Sequence, residues 1–337
     1  MKNAAQKPAD DHSADGGQSL DVARCPLCTH LSHKPRGSVA LNEVWGAYHS
    51  VWNTTFSDEV LHTYGDATSV SLYECDHCSL QWFEPALEGD ARFYQELHRG
   101  IGYEPWRWEF TAAGRRIADG NRVVEIGAGH GAFVRSIVNR SLSVEVLDKN
   151  PDAAELLRQH GIAVRESDVR EDARERPSRA DVVCAFQVLE HVIDVAGFLS
   201  ALADIVVPGG LVMVSVPNRN RYRDSLEPMD NPPHHLTRWA PETLRRAADL
   251  IDLEVIEMIL EPAELGYCRL ARQQPVRALL TPLLGRPVAD FVARASARLR
   301  MTRGRYARRS QAGRLATGID VGHTMFAVLR RPHGRGP

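Results

Sequence analysis

The sequence predicts an α/β protein: a doubly wound, mostly parallel sheet, preceded by a small cysteine-bearing domain and interrupted by a helical insertion before its last strand. Three observations carry this expectation. From Asn121 onward, short apolar runs alternate with amphipathic stretches: RVVEIG, GAFVRSIVNR, SVEVLD, PDAAELLRQHG, IAVRESD, ADVVCAFQ, DVAGFLSALADIV, PGGLVMVSVPN and PETLRRAADLIDLEVIEMIL. Strands alternating with helices of this length form βαβ units. Four of the six cysteines fall in two Cys-x-x-Cys pairs, Cys25/Cys28 and Cys75/Cys78. The alternation stops over 263–320, and one strand-like run, HTMFAVLRR, returns at 323–331.

The elements divide into five pieces. Residues 1–20 are polar and acidic, without the apolar core of a secretory signal, and are expected to be a disordered tail. Residues 21–85 carry the cysteine pairs among short aromatic and β-branched runs such as VSLYEC and LQWF, and 86–115 form an irregular helical linker rich in Tyr and Trp. Residues 116–262 and 321–332 make the sheet domain, and 263–320 the insertion. With 337 residues, 43% hydrophobic and 25% charged, the chain has the composition of a soluble globular protein. No apolar run approaches the ~20 residues that span a bilayer. Paired cysteines without a signal segment point to metal binding in a reducing, cytoplasmic setting rather than to disulfides.

The net charge of −2 is segregated. Residues 1–110 carry −8, residues 111–264 carry −7, and residues 265–337 carry +13 with fifteen arginines and no lysine. An acidic N-terminal region repels a phosphate backbone, which disfavours a nucleic-acid-reading module there.

The run from Val123 to Ala132 (VVEIGAGHGA) joins an apolar strand to an amphipathic helix. Its glycines permit a sharp turn and close approach of a ligand to a helix N-terminus. Asp148 ends the second strand, 21 residues after Gly127, where a carboxylate can bind both ribose hydroxyls. Taken alone, these features fit a nicotinamide dinucleotide or any other adenosine ligand. Four more features narrow the choice: Glu125 two residues before the first glycine, Asp168 ending the third strand-like run, the segment FQVLEHV (186–192) after the fourth, and Pro208-Gly209-Gly210 at the fifth.

In that combination and order, residues 121–261 and 321–331 resemble the class I S-adenosylmethionine-dependent methyltransferases. The resemblance implies that Glu125 and the loop Gly127, Ala128, Gly129 and Gly131 cradle the amino-acid part of the cofactor. It implies further that Asp148 holds the ribose, Asp168 contacts the adenine, and Gln187 lies beside the methionine moiety. Glu190 and His191 stand open between a structural and a functional role. A sulfonium needs little activation, so the expected catalysis is by position: a nucleophile held in line with the methyl group, with water excluded.

Each Cys-x-x-Cys knuckle can place two thiolates on one tetrahedral ion, so Cys25, Cys28, Cys75 and Cys78 are read as a structural zinc site with no open position. Nearby His30, His33, His49, His62 and His77 are the substitute ligands. CPLC, YECDHCSLQWFEP and the aromatic linker together resemble the N-terminal zinc-binding region of bacterial small-molecule methyltransferases, including sugar C-methyltransferases, although the large C-terminal domain of the latter has no room here. Cys184, within ADVVCAF, reads as core.

The acceptor site is expected at Asn231–Trp239 (NPPHHLTRW), a loop at the carboxyl end of the sheet. Two prolines stiffen it, and His234 and His235 are expected to present an imidazole on either side of the chain. A neutral imidazole near its ordinary pKa can take a hydroxyl proton at pH 7, with His235 favoured over His234 and Tyr222 an outside candidate. The run resembles the Pro-His-His-Leu segment of this methyltransferase group, with Ala240 replacing its usual Ser or Thr. Residues 275–301 read as an arginine-faced helix for packing or dimerisation. A second reading has 275–309 docking to an anionic membrane surface or a carrier-linked substrate.

The function expected is methyl transfer to a small-molecule or glycan acceptor, at a hydroxyl. The alternatives are an RNA methyltransferase with a zinc-containing recognition domain, and a non-catalytic zinc assembly protein.

Overall fold

A computed structural model describes residues 24–101, 107–221, 228–261 and 323–333. In chain order the N-terminal part contains β1 (His33–Ala40), α1 (Leu41–Trp52), α2 (Asp58–Thr63), β2 (Ser69–Cys75), β3 (Gln81–Glu84) and α3 (Ala91–Ile101). The larger part follows with α4 (Trp108–Gly114), β4 (Arg122–Ile126), α5 (Ala132–Ile137), β5 (Ser143–Leu147), α6 (Pro151–Gln159), β6 (Ala163–Arg165), α7 (Val169–Glu175), β7 (Ala180–Phe186), α8 (Val195–Ile205) and β8 (Val206–Pro217). The last elements are β9 (Thr237–Arg238), α9 (Pro241–Leu250), β10 (Glu254–Leu260) and β11 (Thr324–Arg330). The tail 1–20, Tyr222, and the insertion 263–320 with its arginine-rich 275–309 segment lie outside the described residues. Among the described residues, no helix is long and apolar enough to cross a membrane.

The seven strands of the large sheet run in the order β10-β11-β8-β7-β4-β5-β6. β6, β5, β4, β7 and β8 are parallel, as the alternating pattern requires, whereas β11 and β10 are antiparallel additions at one edge. This is a Rossmann-like arrangement. Its interior strands are buried on both faces and correspondingly apolar: Val182, Val183, Cys184 and Ala185 of β7 and Val212, Met213 and Val214 of β8 are at most 2% exposed. The chain leaves β4 toward β5 on one side and later returns to β7 on the other. The crevice beyond β4 and β7 is therefore the topological switch point, where this architecture places ligands.

A second, antiparallel sheet has the order β1-β2-β3-β9. Its fourth strand comes from the segment between β8 and α9: Gln81 pairs with Arg238 and Trp82 with Thr237. The cysteine knuckles pack in the same core as the large sheet. Cys25, Leu27, Cys78, Leu80 and Trp82 join Val195, Phe198, Leu199, Trp239 and Leu244 in one apolar cluster. The short helices α1 and α2, unanticipated between the cysteine pairs, make a separate aromatic core in which Leu41, Val44 and Tyr48 lie on one face of α1 against Phe56, Phe83 and Phe93.

Candidate functional site

The turn after β4 is built by glycine. Gly127, Gly129 and Gly131 have φ of 67°, 53° and 71°, a left-handed region that costs a side chain dearly. A Cβ at Gly127 would come within 2.8 Å of Val188, and one at Gly131 within 2.2 Å of Leu157. The backbone there passes tightly between the loop after β7 and α6, and opens onto the start of α5. Ala128, buried between these glycines, belongs to a small cluster with Val134, Val146 and Leu157.

The carboxylates around this turn have contrasting environments. Asp148 accepts from the amides of Gly129 at 3.0 Å and Asn150 at 2.9 Å, so its head is fixed before any ligand arrives. Burial raises its pKa against those two amides. Glu125 is fully buried, one of its oxygens has no hydrogen-bond partner among the described residues, and burial pushes its pKa up to about 8. Asp168 caps α7 rather than ending a strand. Its carboxylate is held by Arg170 at 3.0 Å and 3.1 Å and by Lys149 at 2.5 Å, which keep it well below the usual carboxylate range. Lys149, Asp168, Arg170, Glu171 and Arg174 line a shallow cleft there. An adenine contact from Asp168 would thus be made from within an ion-pair network.

Gln187, just beyond β7, has φ of 56°. Its amide nitrogen donates to the Ser215 carbonyl at 2.9 Å and its side chain to Ser215 Oγ at 3.1 Å. Ser215 Oγ in turn donates to Glu109 at 3.3 Å. Glu109, on α4 and fully buried with a pKa raised by burial, carried no sequence signal.

The histidines form a cluster that the sequence only half revealed. His234 and His235 lie on the same side of the chain, ring centroids 4.3 Å apart, and His191 packs against both at 4.8 Å and 4.9 Å. The expectation of an imidazole on either side of the chain is therefore corrected. The amides of both His234 and His235 fold back to the carbonyl of Asn231, which turns the pair inward together. The expectation of an ordinary pKa is corrected as well. Burial and mutual repulsion hold His234 and His235 well below the usual imidazole range, and burial pulls His191 down to about 4. All three are neutral at pH 7.

Beneath them sits Glu190, 1% exposed, with its pKa pushed up to about 8 by burial. One of its oxygens is 3.9 Å from His191 Nε2 and 4.0 Å from His235 Nε2. Tyr94 closes the cluster, its hydroxyl 3.0 Å from His191 Nδ1. Glu190 and His191, left open by the sequence, thus belong to the same group as the histidine pair. The cluster adjoins the glycine turn through Val188, three residues before His191.

At the other end of the small sheet, Cys25 and Cys78 sulfurs lie 3.4 Å apart and those of Cys28 and Cys75 3.5 Å apart. All four lie within 4.8 Å of one another. Thr29 and Ser79, each directly after its Cys-x-x-Cys pair, adopt φ of 59° and 62°. Their amides return to the carbonyls of Cys25 and Cys75 at 2.9 Å and 3.0 Å. The amides of His77 and Cys78 point at Cys75 Sγ, as donors do toward a thiolate. Four converging, mostly buried sulfurs in paired turns fit a tetrahedral ion of zinc type.

Residues 99–258 match the family model of a methyltransferase domain. The chain is 29% identical over 161 residues to a ubiquinone biosynthesis O-methyltransferase of Aeromonas salmonicida, an alignment covering 46% of this chain and 63% of the relative. It is 32% identical over 157 residues to a ubiquinone biosynthesis O-methyltransferase of Klebsiella pneumoniae subsp. pneumoniae, covering 43% and 62%. A crystal structure of a SAM-dependent methyltransferase from Archaeoglobus fulgidus superposes with a TM-score of 0.45 at 18% identity, over 72% of this chain and all of that one. The chain spans less than two thirds of the length of the curated relatives it matches. Residues 99–258, which match the methyltransferase-domain model, lie in the part of the chain that forms the Rossmann-like sheet.

Proposed function

We propose that this protein transfers the methyl group of S-adenosylmethionine to a hydroxyl of a small-molecule or glycan acceptor, and that its four N-terminal cysteines hold one structural zinc ion. The observation that carries the reading is the adjacency of two differently built halves of one crevice. On one side are the glycine turn, Glu125, Asp148 and Gln187, and on the other a largely buried cluster of three neutral imidazoles. The names of the relatives, O-methyltransferases acting in the biosynthesis of a small molecule, favour oxygen as the acceptor atom.

In this reading the cofactor's ribose is held by Asp148 and its amino-acid end by the turn. The acceptor hydroxyl faces His235, a neutral imidazole able to take its proton as the oxygen attacks the methyl group. The buried surroundings exclude competing water and leave alignment as the main source of rate.

The test is isothermal calorimetry with S-adenosylmethionine, followed by transfer of labelled methyl to a panel of hydroxylated acceptors. His235→Ala is expected to cut turnover by ~10²–10⁴-fold with cofactor affinity unchanged. Near-wild-type turnover in that variant would remove His235 as the base, and failure of the wild type to bind the cofactor would remove the whole reading.

A further inference from the structure

We infer that His191, His234 and His235, together with Glu190, form a second metal site, one that takes a divalent ion of the zinc class and is separate from the four-cysteine site. The inference rests on the reading above that the acceptor meets the cofactor beside this cluster.

The first support is convergence: one ligand nitrogen from each of the three imidazoles lies within 4.8 Å of the others. The second is tautomeric. A carbonyl can only accept, so His191 Nδ1, which contacts the His234 carbonyl, must carry its proton. So must His234 Nδ1, 3.0 Å from the Met229 carbonyl. Both rings therefore keep an Nε2 lone pair free, and a ring N–H anchored on a carbonyl is the usual outer support of a metal-bound imidazole. The third is Glu190, buried to 1% exposure, with neither carboxyl oxygen hydrogen-bonded among the described residues. Such a group calls for a partner, and it stands about equally far from His191 Nε2 and His235 Nε2.

The fourth support is rigidity. The Leu236 amide donates to the Glu190 carbonyl at 2.8 Å, fastening the two ligand-bearing segments together. Three imidazoles and one carboxylate form a mixed nitrogen and oxygen donor set. Such a set suits zinc, cobalt, nickel or iron better than magnesium or calcium, which prefer oxygen donors throughout. With the ion bound, His235 acts as a ligand. The ion would then supply the positive charge that lowers the pKa of a nearby acceptor hydroxyl, in place of proton removal by His235.

The experiment measures metal per chain in the full-length protein by elemental analysis, and then the visible spectrum after cobalt substitution. Two equivalents are expected in the wild type, with a thiolate charge-transfer band from the cysteine site and separate d–d bands from the imidazole site. His234→Gln and Glu190→Gln should each lower the content toward one equivalent and leave the thiolate band in place. Calorimetry with S-adenosylmethionine, run on every variant, reports that the fold is retained. A single equivalent in a wild type that binds the cofactor overturns the metal inference alone. Two equivalents retained in both cofactor-binding variants overturn it equally. A protein that holds both metals yet does not bind the cofactor overturns the methyl-transfer reading instead.

Discussion

Glu125 lies on β4 and Asp148 directly follows the neighbouring parallel strand β5, yet only Asp148 has both carboxylate oxygens hydrogen-bonded. A ligand that adds hydroxyl donors to Asp148 meets a carboxylate already aimed by two amides. Each such charge-assisted bond is worth ~1.5–3 kcal/mol, so Asp148→Ala should weaken S-adenosylmethionine binding ~10-fold or more in calorimetry while leaving the fold intact. Glu125 is the opposite case. Its folded pKa of about 8 lies above its ordinary value of 4.5. The stability it contributes as a neutral acid is therefore complete below pH ~4.5 and is lost as pH rises toward 8. Urea unfolding at pH 5, 6.5 and 8 should show the wild type losing up to ~1.4 kcal/mol per pH unit relative to Glu125→Gln, with the variant the more stable at pH 8. Parallel curves for the two proteins would mean that Glu125 is not held neutral. At this scale the sequence was readable where the constraint is local. A turn needing three left-handed residues shows its glycines, and a carboxylate ending a strand shows its place. It was not readable where the partners are distant: His191 and His234 are 43 residues apart and Glu109 and Ser215 106, and no local pattern links them.

Helix α5 begins on Gly131, whose missing Cβ leaves room for Leu157 on α6. Gly131→Ala would force a left-handed alanine against a buried leucine, and the helix start would shift with it. The strain alone costs on the order of 1–3 kcal/mol, so the variant should melt several degrees lower and bind S-adenosylmethionine more weakly, as thermal scans with and without cofactor would show. The parallel strands were legible as elements because they are apolar throughout. Helix α1 was not, because its apolar face is carried by Leu41, Val44 and Tyr48 among aromatic and β-branched residues that read equally well as strand. Strand β9 is two residues long, and nothing in so short a segment announces a pairing partner.

Across the whole molecule, the two sheets are joined by more than a linker. The Phe83 amide donates to Leu236 at 3.1 Å, Gly89 to Pro233 at 3.0 Å, and Arg238 to the Gln81 side chain at 2.9 Å. The Thr243 hydroxyl reaches Ser79, next to the second cysteine knuckle, at 3.1 Å. The histidine loop is thus clamped by the sheet that the cysteines organise. Cys75→Ser should accordingly lower turnover more than it lowers cofactor affinity, although Cys75 touches neither ligand. Equal losses in the two, or none, would show that the clamp is not transmitted.

The β3–β9 pairing also governs how the chain can fold as it is made. Gln81 leaves the ribosome 157 residues ahead of its partner Arg238. At ~5–20 residues per second that interval lasts roughly 8–30 s. Throughout it the nascent small sheet presents β3, with its Trp82 and Phe83, as an open edge able to pair with any passing strand. Closure of the edge and assembly of the histidine loop are one event. A chain stalled before residue 240 is therefore exposed at the same strand on which its finished site depends.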